Sequence, residues 1–234
     1  MRRITGLLYA ADVADRIPLF PLSTTLVPGL VLPLHIFEPR YRLLVQDLLK
    51  EPDEERREFG IVGMRLGRSV ETDGVSALYP VGVTALLHQA DELDDGRFDI
   101  VTTGHRRFQI LGLDTGRPLA HATVEFLDEP EGSLDARLTA QVADAFHSYR
   151  AALGGQVQAS VGDGVVPEDP TVLSYLVTAA MVLAQDDRQQ LLAAPSTAER
   201  LARARELLAR EAMLIQLTAS VPSLDLPGVV PSAN

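Results

Sequence analysis

The chain has 234 residues, 46% hydrophobic and 23% charged, which is enough apolar content for a packed core and too little charge for global disorder. Its net charge of −11 opposes the phosphate neutralisation on which non-specific nucleic-acid binding rests. It has no cysteine, so disulfides, thiolate nucleophiles and Cys-ligated zinc are excluded.

The opening "MRRITGLLYAADVADR" places two arginines before apolar residues, but Thr5, Gly6 and Asp12 break the run. No uninterrupted apolar run approaches the ~20 residues that a membrane span needs. Residues 1–16 therefore read as a leader on a cytoplasmic protein that does not enter a membrane.

"IPLFPL" and "LVLPLHIF" are short apolar runs interrupted by proline, which suits strand ends, edges and bulges because proline removes a ladder donor. "EPRYRLLVQDLLKE" predicts a helix with Pro39 in its first turn, where a missing N–H costs nothing. Tyr41, Leu44, Val45 and Leu48 fall on one apolar face of it. "EPDEERRE" reads as a charged loop or frayed helix end, and "FGIVGMRL" as the next strand. "YPVGVTALLHQADEL" and "GRFDIVTTG" flank Asp94-Asp95-Gly96, a hairpin signal because glycine tolerates positive φ. "HRRFQILGL", after a tight turn at Gly104, and "HATVEFL" complete a run of short strands.

Beyond "DEPEG" the pattern changes. Ser133 is placed to cap a helix over 134–153, and the Gly/Pro-rich "GGQVQASVGDGVVPEDP" reads as a loop. Asp169-Pro170 opens the apolar helix "TVLSYLVTAAMVLA", and Asp186 is a candidate cap for "DRQQLLAA". Ser196 and Glu199 have the spacing of a capping box. In the helix that follows, Glu199–Arg203 and Glu206–Arg210 stand in the favourable i,i+4 order. Strands followed by helices define an α+β chain rather than alternating βαβ units.

The ordered series "IPLFPLSTTLVPGLVLPLHIFEPRYRLL", "FGIV", "YPVGVTALLHQADELDDGRFDIVTTGHRRFQIL", "HATVEFL" and "YLVTAAMVLAQDDRQQLLAAPSTAERLARARELL" resembles the N-terminal, substrate-binding domain of the Lon protease family, from about residue 16 to residue 218. The resemblance implies a twisted β sheet or pseudo-barrel of the PUA-like type followed by a helical bundle. It also implies a role in recognising polypeptide substrates. In Lon an ATPase and a protease domain follow this point. Here no G-x-x-x-x-G-K-[ST] loop occurs, and "GIVGMRLG" has no Lys-Ser/Thr after it. The protease of that family uses a Ser–Lys dyad, whereas the one lysine here, Lys50, sits at a charged helix end where it stays solvated. The expected protein is a stand-alone, non-catalytic form of the recognition domain, with no cofactor and no metal.

Several residues are candidates for a site. His35 and Glu38 straddle a strand–helix junction, share no helical face and lack a third ligand, so a capping or surface contact is the favoured reading. His88, His105, His121 and His147 are scattered, with no H-E-x-x-H pattern and no G-x-S-x-G elbow. In "GHRRF", Arg106 and Arg107 are candidates for an anion or partner contact; the favoured reading has one bonded across strands and the other solvated. Arg200, Arg203, Arg205 and Arg210 interleave with glutamates and read as a salt-bridged solvent face. Phe37 and Tyr41 are candidates for an exposed apolar surface that takes extended polypeptide, but the favoured reading places both in the core.

The expected organisation is a leader (1–16), a β-rich part with one helix (17–130), a helical part (131–219) and a Pro-containing tail (220–234). The expected function is binding of unfolded or partner polypeptides. An RNA-binding PUA-like protein is the alternative, and a cryptic hydrolase a third reading. The oligomeric state, monomer or weak dimer, stays open.

Overall fold

The computed structural model describes residues 15–153 and 166–219. The leader up to residue 14, the loop over 154–165 and the tail over 220–234 lie outside the described residues. The described chain divides into two compact units. One holds the residues up to Glu129 together with Leu183–Ala193; the other holds Pro130–Val182 and the residues from Ala194 on.

The first unit is built on six strands: β1 (Asp15–Leu22), β2 (Val31–Ile36), β3 (Glu58–Gly63), β4 (Val81–Glu92), β5 (Phe98–Asp114) and β6 (His121–Phe126). They lie in the order β2-β5-β4-β3-β1-β6, and β6 also pairs with β5. Five strands therefore close into a ring, the expected pseudo-barrel, with β2 added at the outside of β5. The length of β5 allows this. Phe98–Thr103 pairs with β2, and Phe108–Asp114 pairs with β6. "DIVTTG" and "HRRFQILGL", read from sequence as two strands about a turn, are one strand, and no turn forms at Gly104.

Gly104 answers a packing need instead. A Cβ there would lie 2.2 Å from the Val27 carbonyl oxygen, so only glycine lets the segment before β2 press onto β5. Two backbone bonds fix that approach, Gly29 N–H to Gly104 O at 2.8 Å and Gly104 N–H to Leu30 O at 3.0 Å. The ladder with β4 shifts register just beyond, between Val83/Arg107 and Ala85/Gly104. His105 and Arg106 are both exposed at this bulge, and Arg107 is then turned inward.

The prolines fit the pairing. Asp15–Pro18 registers with β6 and Leu19–Leu22 with β3, so each half of β1 has one unpartnered side for a residue that cannot donate. Asp15 and Arg16, assigned to the leader from sequence, already belong to β1. On β2, Leu30 O accepts from β5, so alternation sends Leu32 and Leu34 toward β5 and Pro33 toward the free edge. Pro33 thereby protects that edge from further strand addition. The core inside the ring is Leu19, Val62, Leu78, Phe108, Ala122 and Val124.

Helix α1 (Pro39–Leu49) follows β2 with Pro39 at its start, as the sequence predicts, and buries Tyr41, Leu44 and Val45. A four-residue helix α2 (Val70–Asp73), capped by Ser69, sits in the excursion between β3 and β4. Helix α5 (Gln185–Leu192) belongs to this unit although it lies within 131–219. Gln189 Nε2 donates to Val81 O at 2.7 Å, and Thr25 Oγ1 donates to Gln189 Oε1 at 3.3 Å. Asp186 does not cap α5; it accepts from the Tyr79 hydroxyl.

In the second unit α3 (Ala136–Ala152) is capped by Asp135 rather than Ser133. Asp169 and Pro170 open α4 (Pro170–Ala180) as expected, Asp169 Oδ1 accepting from Thr171 and Val172. Before α6 (Thr197–Ala219), Ser196 Oγ accepts from Glu199 N, the first half of the capping box read from sequence, while the Glu199 carboxylate accepts from the Ser196 hydroxyl rather than from its backbone N–H. Pro130 O and Glu131 O accept from the first two N–H groups of α6, those of Thr197 and Ala198. The core of this unit includes Val142, Phe146, Leu173, Val177, Leu201 and Leu208.

Candidate functional site

The residues singled out between 34 and 41 do come together, but around a cleft rather than as a catalytic cluster. The cleft encloses about 470 Å³. Its floor is apolar. Phe20 of β1 and Tyr41 of α1 stack with ring centroids 3.9 Å apart, and Leu34, Met64 and Val70 extend the surface. Phe37, at the turn between β2 and α1, stands at the lip with 60% of its surface exposed. Its ring stacks with that of His35 at a centroid distance of 6.4 Å. Tyr41 by contrast is buried beneath it.

The rim is charged. Arg40 donates to Glu38 at 2.9 Å, reaches Glu71 of α2 at 3.6 Å and lies 4.8 Å over the Tyr41 ring. Glu38 is the residue before α1, where its carboxylate engages Arg40 rather than a helix N–H. His35 lines the cleft as well. Its Nδ1 lies 2.6 Å from Asp99 and its Nε2 lies 3.0 Å from Arg97. His35 and Glu38 therefore do not share a ligand. Burial pushes the Tyr41 phenol up to about 12, against the usual value near 10. Its folded value lies above its unfolded one, so its contribution to stability is complete below pH ~10 and is lost as pH rises toward 12. An alkaline titration followed by phenolate absorbance should show one phenol ionising only near pH 12 or on unfolding, and Tyr41→Phe should remove it together with its share of the stability loss.

The remaining candidates disperse. His88 meets Thr103 at 2.9 Å, His105 pairs with Glu58, and His121 Nδ1 lies 3.0 Å from Leu119 O. His147 is exposed on α3. Among the described residues no three His, Asp or Glu side chains converge on a position that could hold a metal ion. Lys50 is exposed and pairs with Asp47 at 2.6 Å.

The two arginines of "GHRRF" part company. Arg106 lies 3.9 Å over the Phe126 ring and bonds Glu58 at 3.3 Å. Arg107 is 2% exposed; it donates to the Asp128 and Leu192 carbonyls at 2.8 Å each and to the Glu129 carboxylate. It is a structural strut, a role with no sequence signal beyond the position itself. Arg200 is also buried, against the solvent-face reading: it lies 4.0 Å over the Tyr175 ring and bonds Ser174 at 3.1 Å. Arg203 pairs with Glu206, Arg210 with Glu211, and Arg205 bonds Gln141.

A closed, mixed β ring carrying an apolar cleft, followed by a helical unit, is an α+β architecture. The family model of the ATP-dependent protease La (LON) substrate-binding domain matches residues 16–210, and the chain belongs to that family. The chain is similar to Lon protease 1 of Herpetosiphon aurantiacus, 25% identical over 218 residues that cover 90% of this chain and 26% of the relative. It is 26% identical over 221 residues to Lon protease 2 of Sorangium cellulosum, again 90% of this chain and 26% of the relative. The chain thus spans about a quarter of the length of the curated relatives it matches. In structure it is similar to a Lon N-terminal domain protein from Xanthomonas campestris (TM-score 0.60, 21% identity, 83% of this chain and 98% of that one). The N-terminal domain of the Mycobacterium avium complex Lon protease is comparable (TM-score 0.59, 21% identity, the same coverage). The described helices include none long and apolar enough to cross a membrane.

Proposed function

We propose that this chain recognises polypeptides, taking extended or unfolded segments into the cleft formed by Phe20, Leu34, Phe37, Tyr41, Met64 and Val70. The observation that carries this reading is the exposed Phe37 ring at the lip of an apolar floor. A folded partner hides its apolar side chains; an unfolded one presents them, and a cleft of this size takes one or two at a time. The membership in a substrate-binding family supports the same reading. The domain does no chemistry on its ligand. It holds the segment and leaves any cleavage to other machinery.

The β2 edge is a poorer site for the ligand, because Pro33 faces outward and cannot complete a ladder. Recognition therefore rests on side-chain burial. Replacing Phe37 by Asp puts a charge at the lip and removes an exposed ring, so it should weaken binding of a permanently unfolded polypeptide by about tenfold or more while leaving thermal stability almost unchanged. Fluorescence anisotropy with a labelled, unfolded polypeptide measures the first effect and calorimetry the second. Equal affinity in the variant would remove the cleft from the account.

The net charge of −11 opposes the RNA-binding alternative. Of the two arginines in the basic run, one is buried and the other is engaged by Glu58 and Phe126.

A further inference from the structure

A second groove, of about 520 Å³, lies on the other side of Arg40. Its floor is Leu43, Leu44 and Leu48 of α1 with Pro18, Pro118 and Leu119, and Leu43 is 60% exposed. The charges on its rim are not equally committed. Asp47 is engaged by Lys50, Glu58 by His105 and Arg106, and Glu51 by the backbone N–H of Asp53. Arg40 is held by Glu38 and Glu71. Arg56 and Arg117 are exposed and make no side-chain hydrogen bond or ion pair among the described residues, although the charge of Arg117 is felt by Asp114. The groove thus offers an apolar floor with two arginines that are unpaired among the described residues, against one rim carboxylate, Glu51, that no cation engages there, on a chain whose net charge is −11.

We propose that this groove takes a polypeptide segment in which apolar residues alternate with acidic ones, the apolar side chains lying on Leu43 and Leu48 and the carboxylates meeting Arg56 and Arg117. This deepens the polypeptide-binding reading and rests on it. Most of the acidic surface repels such a segment, so the two arginines select where it lands and in which register. Planar guanidinium groups suit carboxylates, since they can bond both oxygens at once.

Three synthetic peptides of one length and one apolar content, with Asp, Ser or Lys at the polar positions, test this on the full chain by fluorescence anisotropy. The Asp peptide should bind tightest, about tenfold better than the Lys peptide. The double variant Arg56→Glu/Arg117→Glu should invert that order, and Leu43→Asp should weaken all three. Both arginines are exposed, so the double variant should keep the melting temperature of the parent. Equal affinities, or an order unchanged by the double variant, overturn the proposal. If none of the three binds but unfolded polypeptide still binds at Phe37, the proposal falls and the recognition reading stands; if neither binds, both fall. Self-association that Leu43→Asp abolishes, with no peptide binding, would make a second copy the occupant and would also overturn it.

Discussion

Replacing Arg107 by Met should destabilise the chain by about 3 kcal/mol or more. Its guanidinium spans three acceptors that sit on two segments remote in sequence, Asp128–Glu129 after β6 and Leu192 at the end of α5. A methionine fills much of the volume but leaves the two carbonyls without their donor. Glu129 is partly exposed and regains water, so the loss comes chiefly from the carbonyls and from the release of α5. Arg107→Lys separates charge from geometry. Lysine keeps the charge, but one ammonium cannot reproduce a fork that reaches all three acceptors. It should therefore recover only part of the loss in urea denaturation. Full recovery by lysine would mean that charge alone matters and that the fork does not.

Gly104→Ala should cost about 3 kcal/mol, at the upper end of overpacking effects, because the obstacle is backbone. The added Cβ meets the Val27 carbonyl oxygen at 2.2 Å and its carbon at 2.9 Å. A side chain could swing away; the Leu26–Leu30 segment cannot without giving up the two bonds that hold it to β5. Leu26 and Val27 are buried beside it, so the shift would also disturb the core. Gly112→Ala on the same strand is the control. Its nearest neighbour is the Thr123 Cβ at 3.8 Å, ordinary contact distance, and it should change stability by no more than about 0.5 kcal/mol. Denaturant midpoints of the two variants should differ clearly. Equal midpoints would contradict the packing role assigned to Gly104.

Features that depend on neighbouring residues could be read from the sequence. Pro39 begins α1, Gly96 turns the β4–β5 hairpin with φ of 76°, Asp169 and Pro170 open α4, and Ser196 with Glu199 caps α6. Each needs only a few adjacent residues in the right order. Features that depend on distant segments could not. Nothing near Gly104 says that Val27 will lie against it. The burial of Arg107 depends on a bulge opposite Thr84 and on carbonyls as remote as Leu192. The allegiance of α5 to the β-sheet unit depends on Gln189 reaching Val81, while its own sequence shows only a short polar helix. Arg200 shares its spacing with a solvent-facing series, and only the Tyr175 ring beneath it sets it apart. The same distinction applies to the site. Phe37 and Tyr41 could be picked out by type and position. That one is the exposed lip and the other the buried floor depends on β1 and on α2, which the sequence does not bring to them.

The most direct measurement of the central claim is a hydrogen-exchange footprint of the full chain saturated with a permanently unfolded polypeptide. Recognition through the apolar cleft predicts slowed exchange over residues 34–41 and 64–71, with the α3 and α6 amides unchanged. Protection confined to the helical unit, or none at saturating ligand, would contradict it.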